Sequence, residues 1–448
     1  MWAASTGGVS YVDVSNGGFR AVAKVATPGT KDISEEALDK LLSPHFTDVD
    51  QIEKALASVG LDWTRIASNI YMFVDNDNVF YASSADGKIH AYGLVDPANP
   101  ATGIKVLRTL DFNDTLKKVA AGGSATLKQY GARIVGVNAT YDGKLIILTN
   151  RSISIAERSF QGGPLQTLEF GVDEYISNSM AVDEKNGIYV AGDAAMYKIV
   201  WTGSKLSRDE ADGGWTSPYD TGREPPSVKF GKGTGSTPTL MGFGDDKDKL
   251  VVITDGADRM KVVAFWRDQI PVDFQQQPGT KSRRIAGQIQ ITCGLSPQPE
   301  FVQSEQSVVV NGYGAFVVNN IRLQGHKDKL VDVIAGGPLF DPPTGCERVE
   351  WNPETRQWQS VWTRNNVTGT SMVPAMSSVS NIAFVNGYSK QDGWEVTGMD
   401  WNTGETVHRT IFGQDNLGNG AYAIIQFLEN GDLLFNSIGG VTRVQLKG

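Results

Sequence analysis

Cysteine and histidine are both scarce in this sequence, which has two cysteines and four histidines among 448 residues. Neither Cys293 nor Cys346 has the CxxC spacing of a metal or redox site. The pair allows either two buried thiols or one disulfide, and a disulfide favours an oxidising compartment. The histidines show no HxH or HExxH spacing, so a histidine-based copper or zinc site is not expected.

Long apolar runs and an excess of basic residues are also missing. No apolar run approaches the roughly 18 to 20 residues that cross a bilayer, so we expect no membrane span. The formal net charge of -9 and the lack of basic clusters argue against nucleic acid as a partner. The start, MWAASTGGVSYVDVS, has no secretion signal. We expect a periplasmic or secreted protein whose signal peptide is absent from this sequence.

Familiar catalytic motifs are absent as well. No GxSxG elbow, Walker loop or Rossmann fingerprint stands between a strand and a helix. The glycine-rich stretch FGKGTGSTP (230–238) leads into a strand, and we interpret it as a connector. The sequence therefore excludes the common nucleotide-binding and serine-hydrolase signatures.

What the sequence does contain is a repeated strand unit. Fifty glycines suit a protein with many tight turns, and short Val- and Ile-rich runs bounded by Gly and Asp predict strands. Seven copies of a turn followed by an apolar strand lie at 75–94, 141–158, 184–201, 246–266, 311–320, 380–401 and 429–446. Radial stacking buries both faces of such units. We predict one all-β domain over 1–448, a seven-bladed β-propeller of four-stranded antiparallel blades, with six or eight blades as alternatives.

A small helical insert interrupts the strand pattern near the start of the chain. Asp32 with Glu35 resembles a capping box, and Thr47 precedes a second helical pattern. We expect the insert, 32–60, to pack on the rim of the propeller as a lid or plug. Two long polar segments, 204–233 and 325–345, are candidates for covering one mouth of the central channel.

Two stretches carry a family resemblance. WEVTGMDWNTGETVHRT (394–410) places Asp400 in a turn between two apolar strands, and CERVEWNPETRQWQSVW (346–362) has Trp358 or Trp362 as a docking aromatic. Both resemble the repeat of quinoprotein-like bacterial β-propellers of uncharacterised function. The whole chain is also similar, more distantly, to calcium-dependent lactonase propellers. The resemblance implies a fold; the vicinal cysteine pair of redox quinoproteins is lacking.

Polar residues at the starts of the innermost strands form the main candidate site, because these strands line the axis of a propeller. Counting back from each second strand selects Asn69, Asn178 and Glu305, with Asn138 and Thr237 near the corresponding position in two other copies. Asn69, Asn138, Asn178 and Glu305 supply the oxygen ligands that Ca²⁺ prefers. Calcium is therefore a possible cofactor, the alternative being a polar channel filled with water.

Other candidates lie in turns and insertions. Asp255 and Arg259 share one turn and form an acid/base or carboxylate-binding pair if that turn reaches the channel mouth; otherwise they belong to a surface hairpin. His326 lies in the 325–345 segment, and Trp215 and Tyr219 lie in the polar 204–233 insertion as candidate ligand contacts. Glu305 is the strongest single catalytic candidate, because an acid at the start of an apolar strand must be paired, coordinated or shifted in pKa.

The resulting functional hypothesis is an exported propeller with a small-ligand site at the mouth of its central channel. Hydrolase or lyase chemistry on a small molecule is the first possibility. The alternatives are a non-catalytic propeller that binds a ligand or protein, and a quinone-dependent dehydrogenase-like protein. We expect a monomer or a weak oligomer.

Overall fold

The strands of the chain assemble into eight antiparallel sheets around one axis. The computed structural model describes residues 1–5, 7–29, 33–62, 70–437 and 440–445. Within these residues, inner strands of neighbouring blades meet in parallel bridges, as between Tyr71 and Gly136. The protein is an eight-bladed propeller.

The first four blades are built in chain order, each from consecutive strands. Blade 1 contains β1 (Trp2–Ser5), β2 (Gly8–Asp13) and β3 (Arg20–Ala26). Blade 2 contains β4 (Phe73–Val74), β5 (Phe80–Ser83), β6 (Lys88–Leu94) and β7 (Ile104–Asp111). Blade 3 contains β8 (Ile134–Ala139), β9 (Leu145–Thr149), β10 (Ser152–Ala156) and β11 (Pro164–Glu169). Blade 4 contains β12 (Ala181–Val182), β13 (Gly187–Ala191), β14 (Ala195–Trp201), β15 (Leu206–Ser207) and β16 (Trp215–Pro218).

The remaining four blades follow the same rule. Blade 5 contains β17 (Thr239–Met241), β18 (Leu250–Thr254), β19 (Lys261–Trp266) and β20 (Ile285–Gln290). Blade 6 contains β21 (Val309–Asn311), β22 (Gly314–Val318), β23 (Thr344–Asn352) and β24 (Gln357–Thr368). Blade 7 contains β25 (Ala375–Ser377), β26 (Ile382–Ser389), β27 (Gly393–Asp400) and β28 (Thr406–Gly413). Blade 8 contains β29 (Ile425–Phe427), β30 (Leu433–Ser437) and β31 (Gly440–Val444).

The predicted count of seven blades is wrong. The additional blade is blade 1, which has three strands and which the sequence pattern presents only as a hairpin across a Gly-Gly break. Trp2 stacks on Phe80 of blade 2 with ring centroids 5.6 Å apart. On the other side, Arg443 of blade 8 donates to the Gly18 carbonyl over 2.9 Å. Blade 1 therefore fills a place in the ring between blades 8 and 2.

The turn of the quinoprotein-like stretch has a structural role. The Asp400 carboxylate accepts hydrogen bonds from the backbone amides of Asn402 and Thr403, both over 2.9 Å. Gly404 completes the turn with φ 73°, a conformation that glycine adopts without a steric cost. Trp362 of the preceding blade donates its indole N–H to the Trp401 carbonyl over 2.8 Å. The motif thus reverses two outer strands and joins two blades.

Five α-helices are described beside the blades. They are α1 (Glu35–Leu42), α2 (Val49–Val59), α3 (Asn113–Ala120), α4 (Ala125–Tyr130) and α5 (Lys329–Ala335). Ser34 caps α1, and Asp48, rather than Thr47, caps α2 by accepting from the Gln51 amide over 2.9 Å; the predicted cap Asp32 lies outside the described residues. Apolar side chains of α1 and α2 pack against α5, whose seven residues are all buried.

The two cysteines are free, buried thiols, so the disulfide interpretation is not supported. Cys293 packs in the core shared by blades 5 and 6, whereas Cys346 packs in the core between blades 6 and 7, with its sulfur 3.9 Å from that of Met399. The two side chains thus belong to different cores. No helix in the described ranges is long and apolar enough to cross a membrane.

Candidate functional site

Side chains from six blades converge on a small cavity at the propeller axis, with a volume of about 40 Å³. We call it the axial cavity. Its lining includes Tyr71, Asn178, Phe230, Glu305, Ser371 and Tyr422. A volume of this size holds one or two water molecules or one functional group of a larger ligand.

Glu305 is the carboxylate of the axial cavity. Its side chain is 8% exposed, and its Oε1 has no hydrogen-bond partner among the described residues. Burial raises its pKa to about 8, although the positive charges of Lys329 and Lys229 pull in the opposite direction. Glu305 therefore carries a proton at neutral pH and can give it to, or take it from, a group placed in the cavity.

Lys229 reaches the same region from the glycine-rich connector between blades 4 and 5. It is fully buried, and its ammonium donates to Gln303 Oε1 over 2.6 Å. Burial lowers its pKa to about 8, against the attraction of nearby carboxylates that include Glu305. Gly235, with φ 70°, separates the two side chains: a Cβ there would lie 3.3 Å from Lys229 Cγ and 3.4 Å from Glu305 Cβ. Gly235 thus lies between the two side chains and is close to both.

Lys329, the first residue of α5, ties the connector to the helices. Its buried ammonium donates to the carbonyls of Ser227 and Lys229 over 2.5 and 2.8 Å, and it lies 5.2 Å from the centroid of the Phe230 ring. Burial lowers its pKa. One lysine therefore fixes the connector that carries Lys229 and Phe230 into the axis.

Replacing Lys329 by methionine is expected to lower the free energy of unfolding by about 2 kcal/mol, because buried carbonyl groups lose their donor. The same change should speed proteolytic cleavage of the connector. Denaturant titration and limited proteolysis measure the two effects. The exposed neighbour Lys327 provides the control Lys327→Met, and equal effects of both variants would contradict the anchoring role of Lys329.

A second buried acid group lies behind the connector. Asp193 accepts from the Gly233 amide over 3.1 Å, and Glu174 accepts from the Tyr197 hydroxyl over 2.6 Å. Burial raises the pKa of Asp193 to about 7, with a further contribution from the charge of Glu174. Three buried groups around this connector, Asp193, Lys229 and Glu305, therefore have pKa values of about 7 to 8 and change their charge near neutral pH.

The predicted oxygen ring is only partly assembled. Asn178 and Glu305 share the axial cavity, where the Tyr71 hydroxyl donates to Asn178 Oδ1. Asn138 instead lines a neighbouring, larger cavity, and Asn69 lies outside the described residues. Thr237 is close to the axis, since its Oγ1 accepts from the Ser179 amide over 3.1 Å.

These donors fit a cation poorly. Over the described ranges there is no group of three or more His, Cys, Asp or Glu side chains that could hold a metal ion. The axial cavity offers one carboxylate, and Lys229 and Lys329 bring positive charge close to it. Calcium prefers six to eight oxygen ligands without competing cations. Bound calcium remains a prediction from the sequence.

The other predicted catalytic residues lie away from the axial cavity. Asp255 is fully buried and forms an ion pair of 2.7 Å with Lys261, while Arg259 is exposed and donates to Gln298 over 3.3 Å. His326 lies just before α5, with its Nε2 3.6 Å from a carboxylate oxygen of Glu53 on α2. The structure does not bring these three residues together with Glu305.

The two aromatic residues proposed as ligand contacts are both buried. Trp215 belongs to β16, stacks on Phe265 at 6.0 Å and donates to the Arg267 carbonyl over 3.1 Å. Tyr219 lies under the connector, where its hydroxyl donates to the Gly192 carbonyl and accepts from the Thr234 amide over 3.0 Å. Both side chains pack inside the protein in this structure.

Sequence reasoning missed Lys229, Lys329 and the two tyrosines of the axial cavity. The sequence feature that could have indicated Lys229 is its position directly before the glycine-rich FGKGTGSTP stretch. Several glycines in a short stretch allow close packing of the backbone at the axis. Lys329 follows a helix cap, since Asp328 Oδ1 accepts from the Leu330 amide over 2.9 Å. Neither pattern by itself distinguishes a lysine at the axis from one on the surface.

Comparisons with known proteins identify the fold. No protein-family model matches the chain. An uncharacterized protein of Archaeoglobus fulgidus is 34% identical over 323 residues, a stretch that covers 70% of this chain and 61% of that protein. This chain thus spans less than two thirds of the length of that relative.

Solved structures with a similar architecture include the following three proteins. Quinohemoprotein alcohol dehydrogenase from Comamonas testosteroni is 12% identical with a TM-score of 0.50, covering 97% of this chain and 68% of that one. Dihydro-heme d1 dehydrogenase NirN is 10% identical with a TM-score of 0.49, covering 99% and 72%. BamB from Moraxella catarrhalis is 13% identical with a TM-score of 0.45, covering 83% of each chain. The resemblance noted in the sequence is confirmed at the level of the fold: the chain is a β-propeller whose structural neighbours include a quinohemoprotein dehydrogenase.

Proposed function

We propose that the protein binds a small molecule at the propeller axis and catalyses proton transfer on it, as a hydrolase or a lyase, with Glu305 as general acid and base. One observation carries the proposal. Glu305 is buried at the axial cavity with an unpartnered oxygen and a pKa raised to about 8. Strongly shifted acids inside cavities are concentrated at functional sites.

The surrounding groups have complementary roles in this proposal. Protonated Glu305 donates a proton to a carbonyl or leaving-group oxygen, and above its pKa the same carboxylate removes a proton from carbon or from water. Lys229 and Lys329 supply positive charge that stabilises negative charge developing on the reacting oxygen. The amide of Asn178 and the Tyr71 hydroxyl orient the reacting group by hydrogen bonds.

A panel of lactones, aryl esters and substrates for β-elimination tests the proposal. For any compound turned over, kcat/KM is expected to change with an apparent pKa near 8, and Glu305→Gln should lower kcat at least 100-fold. Glu300 is exposed, so Glu300→Gln is the matched control and should retain full activity. Full activity of Glu305→Gln would overturn the catalytic role.

The second candidate is a propeller that binds its ligand without chemistry. The observation that favours it is the small size of the axial cavity, about 40 Å³, which leaves little room for two reacting groups. In that case a compound of the panel raises the melting temperature of the wild type but not that of Glu305→Gln. The compound is also recovered unchanged after incubation with the protein. Isothermal calorimetry together with product analysis separates the two functions.

A further inference from the structure

A second and larger cavity lies beside the axial cavity, at the junction of blade 1 with blade 8. Its volume is about 470 Å³, and we call it the outer cavity. Its walls come from β1, from residues of blades 2, 3 and 8, from the segments that lead into blades 4 and 7, and from two residues of α5, Leu330 and Val333. Pockets of roughly 300 to 1,000 Å³ are typical of small-molecule sites, so the outer cavity has room for a complete ligand.

The outer cavity carries little charge. Among the described residues that line it, none has an aspartate, glutamate, histidine, lysine or arginine side chain. The ammonium of Met1 is the charged group of this lining, and it donates to the Val12 carbonyl over 2.8 Å. Apolar groups such as Met72, Phe80, Val137 and Val373 make up most of the wall, with a few amides such as that of Asn138. A charged ligand would lose its hydration here and meet no charged side chain, whereas an apolar ligand gains by burial.

Two tyrosines separate the outer cavity from the axial cavity. Tyr71 and Tyr422 line both, and their hydroxyls are directed to the axial side: that of Tyr71 donates to Asn178, and that of Tyr422 donates to the Val228 carbonyl over 3.0 Å. Burial and the nearby Glu305 carboxylate raise the pKa of both tyrosines. The apolar space therefore ends at the polar groups around Glu305.

We propose that the ligand is an uncharged molecule with an apolar ring body, held in the outer cavity, and one polar end that reaches past Tyr71 and Tyr422 toward Glu305. This inference rests on the proposed function of the axial site and specifies its substrate class. A compact alicyclic or aromatic lactone, ester, ketone or alcohol has this chemistry. Phosphorylated metabolites do not, because their negative charges would face a wall that is mostly apolar and has no charged side chain.

Two probes that share one ring system test the proposal on the full chain. N-phenyl-1-naphthylamine is neutral, and 1-anilino-8-naphthalenesulfonate adds a sulfonate. The neutral probe is expected to bind one to one, with blue-shifted fluorescence, and at least 10-fold more tightly than the sulfonate. Equal or tighter binding of the sulfonate, or no saturable binding of the neutral probe, would overturn the proposal.

Variants locate the binding site. Ala423 and Ala3 both line the outer cavity, so Ala423→Phe and Ala3→Phe each add a ring at its wall and should weaken binding of the neutral probe at least 10-fold. Ala98 is exposed on the outside of blade 2, so Ala98→Phe is the matched control. A melting curve for each variant excludes misfolding, and unchanged binding in both folded cavity variants would place the probe elsewhere and overturn the proposal.

The test of the substrate class can be separated from the test of the catalytic role of Glu305. Glu305→Gln should leave binding of N-phenyl-1-naphthylamine within about 3-fold of wild type, since this probe has no group that needs the acid. Apolar binding together with a Glu305→Gln variant of full activity would reject the catalytic role and keep the substrate class. Loss of activity in Glu305→Gln without saturable binding of the neutral probe would reject the substrate class and keep the catalytic role.

Discussion

Replacing Glu305 by glutamine is expected to stabilise the folded protein at pH 9 and to change its stability little at pH 5. The folded-state pKa of about 8 lies above the ordinary value of 4.5, so the folded state binds the proton more tightly than the unfolded state. Stability from this group is fully present below pH 4.5 and is lost as the pH rises to 8. Glutamine, which never ionises, avoids that loss.

The expected gain at pH 9 is about 5 kcal/mol, since each pKa unit corresponds to about 1.4 kcal/mol. With roughly 2.1 cal/mol/K of unfolding entropy per residue, the melting temperature rises by about 5 °C. Melting curves of the wild type, Glu305→Gln and the exposed control Glu300→Gln at several pH values measure the difference. A difference between Glu305→Gln and wild type that does not grow between pH 5 and pH 9 would contradict the buried, proton-binding state of Glu305.

Truncating Trp351 to alanine is expected to cause a large loss in the free energy of unfolding, because this side chain packs between two blades. Trp351 is 1% exposed and meets the rings of Trp266 and Trp358 edge-on at 6.4 and 5.5 Å. Its indole N–H donates to Asp248 Oδ2 over 2.8 Å. The variant leaves a cavity between blades 5 and 6 and an unpaired buried carboxylate, at a cost of roughly 3 to 5 kcal/mol.

Chemical denaturation measures this loss, and two further variants divide it into its causes. Trp351→Phe keeps most of the packing and loses only the hydrogen bond, so it should cost about 1 to 2 kcal/mol. Val379 is 99% exposed, and Val379→Ala should leave the free energy of unfolding unchanged. A cost below 1 kcal/mol for Trp351→Ala would mean that the two blades are not held together by this aromatic cluster.

The strand pattern predicts the propeller and the position of seven blades, because turn residues and apolar periodicity are local properties. It does not predict the blade count, since blade 1 has only three strands and its sequence presents only a hairpin. Glu305 and Asn178 could be placed at the axis by counting along strands. Lys229 and Lys329 could not, because a connector and a short helix carry them there, and their position depends on packing between segments about 100 residues apart.

Ring closure in this propeller has a mechanical consequence. A propeller blade that combines strands from both ends of the chain closes the ring through backbone hydrogen bonds. Here β1 to β3 form blade 1 and β29 to β31 form blade 8, with no strand pairing between them over the described residues. Side-chain contacts such as that of Arg443 with Gly18 join the two. The boundary between blades 1 and 8 is therefore expected to open first under thermal fluctuation. The same boundary forms a wall of the outer cavity. Opening of the ring would thus also admit a ligand to this cavity.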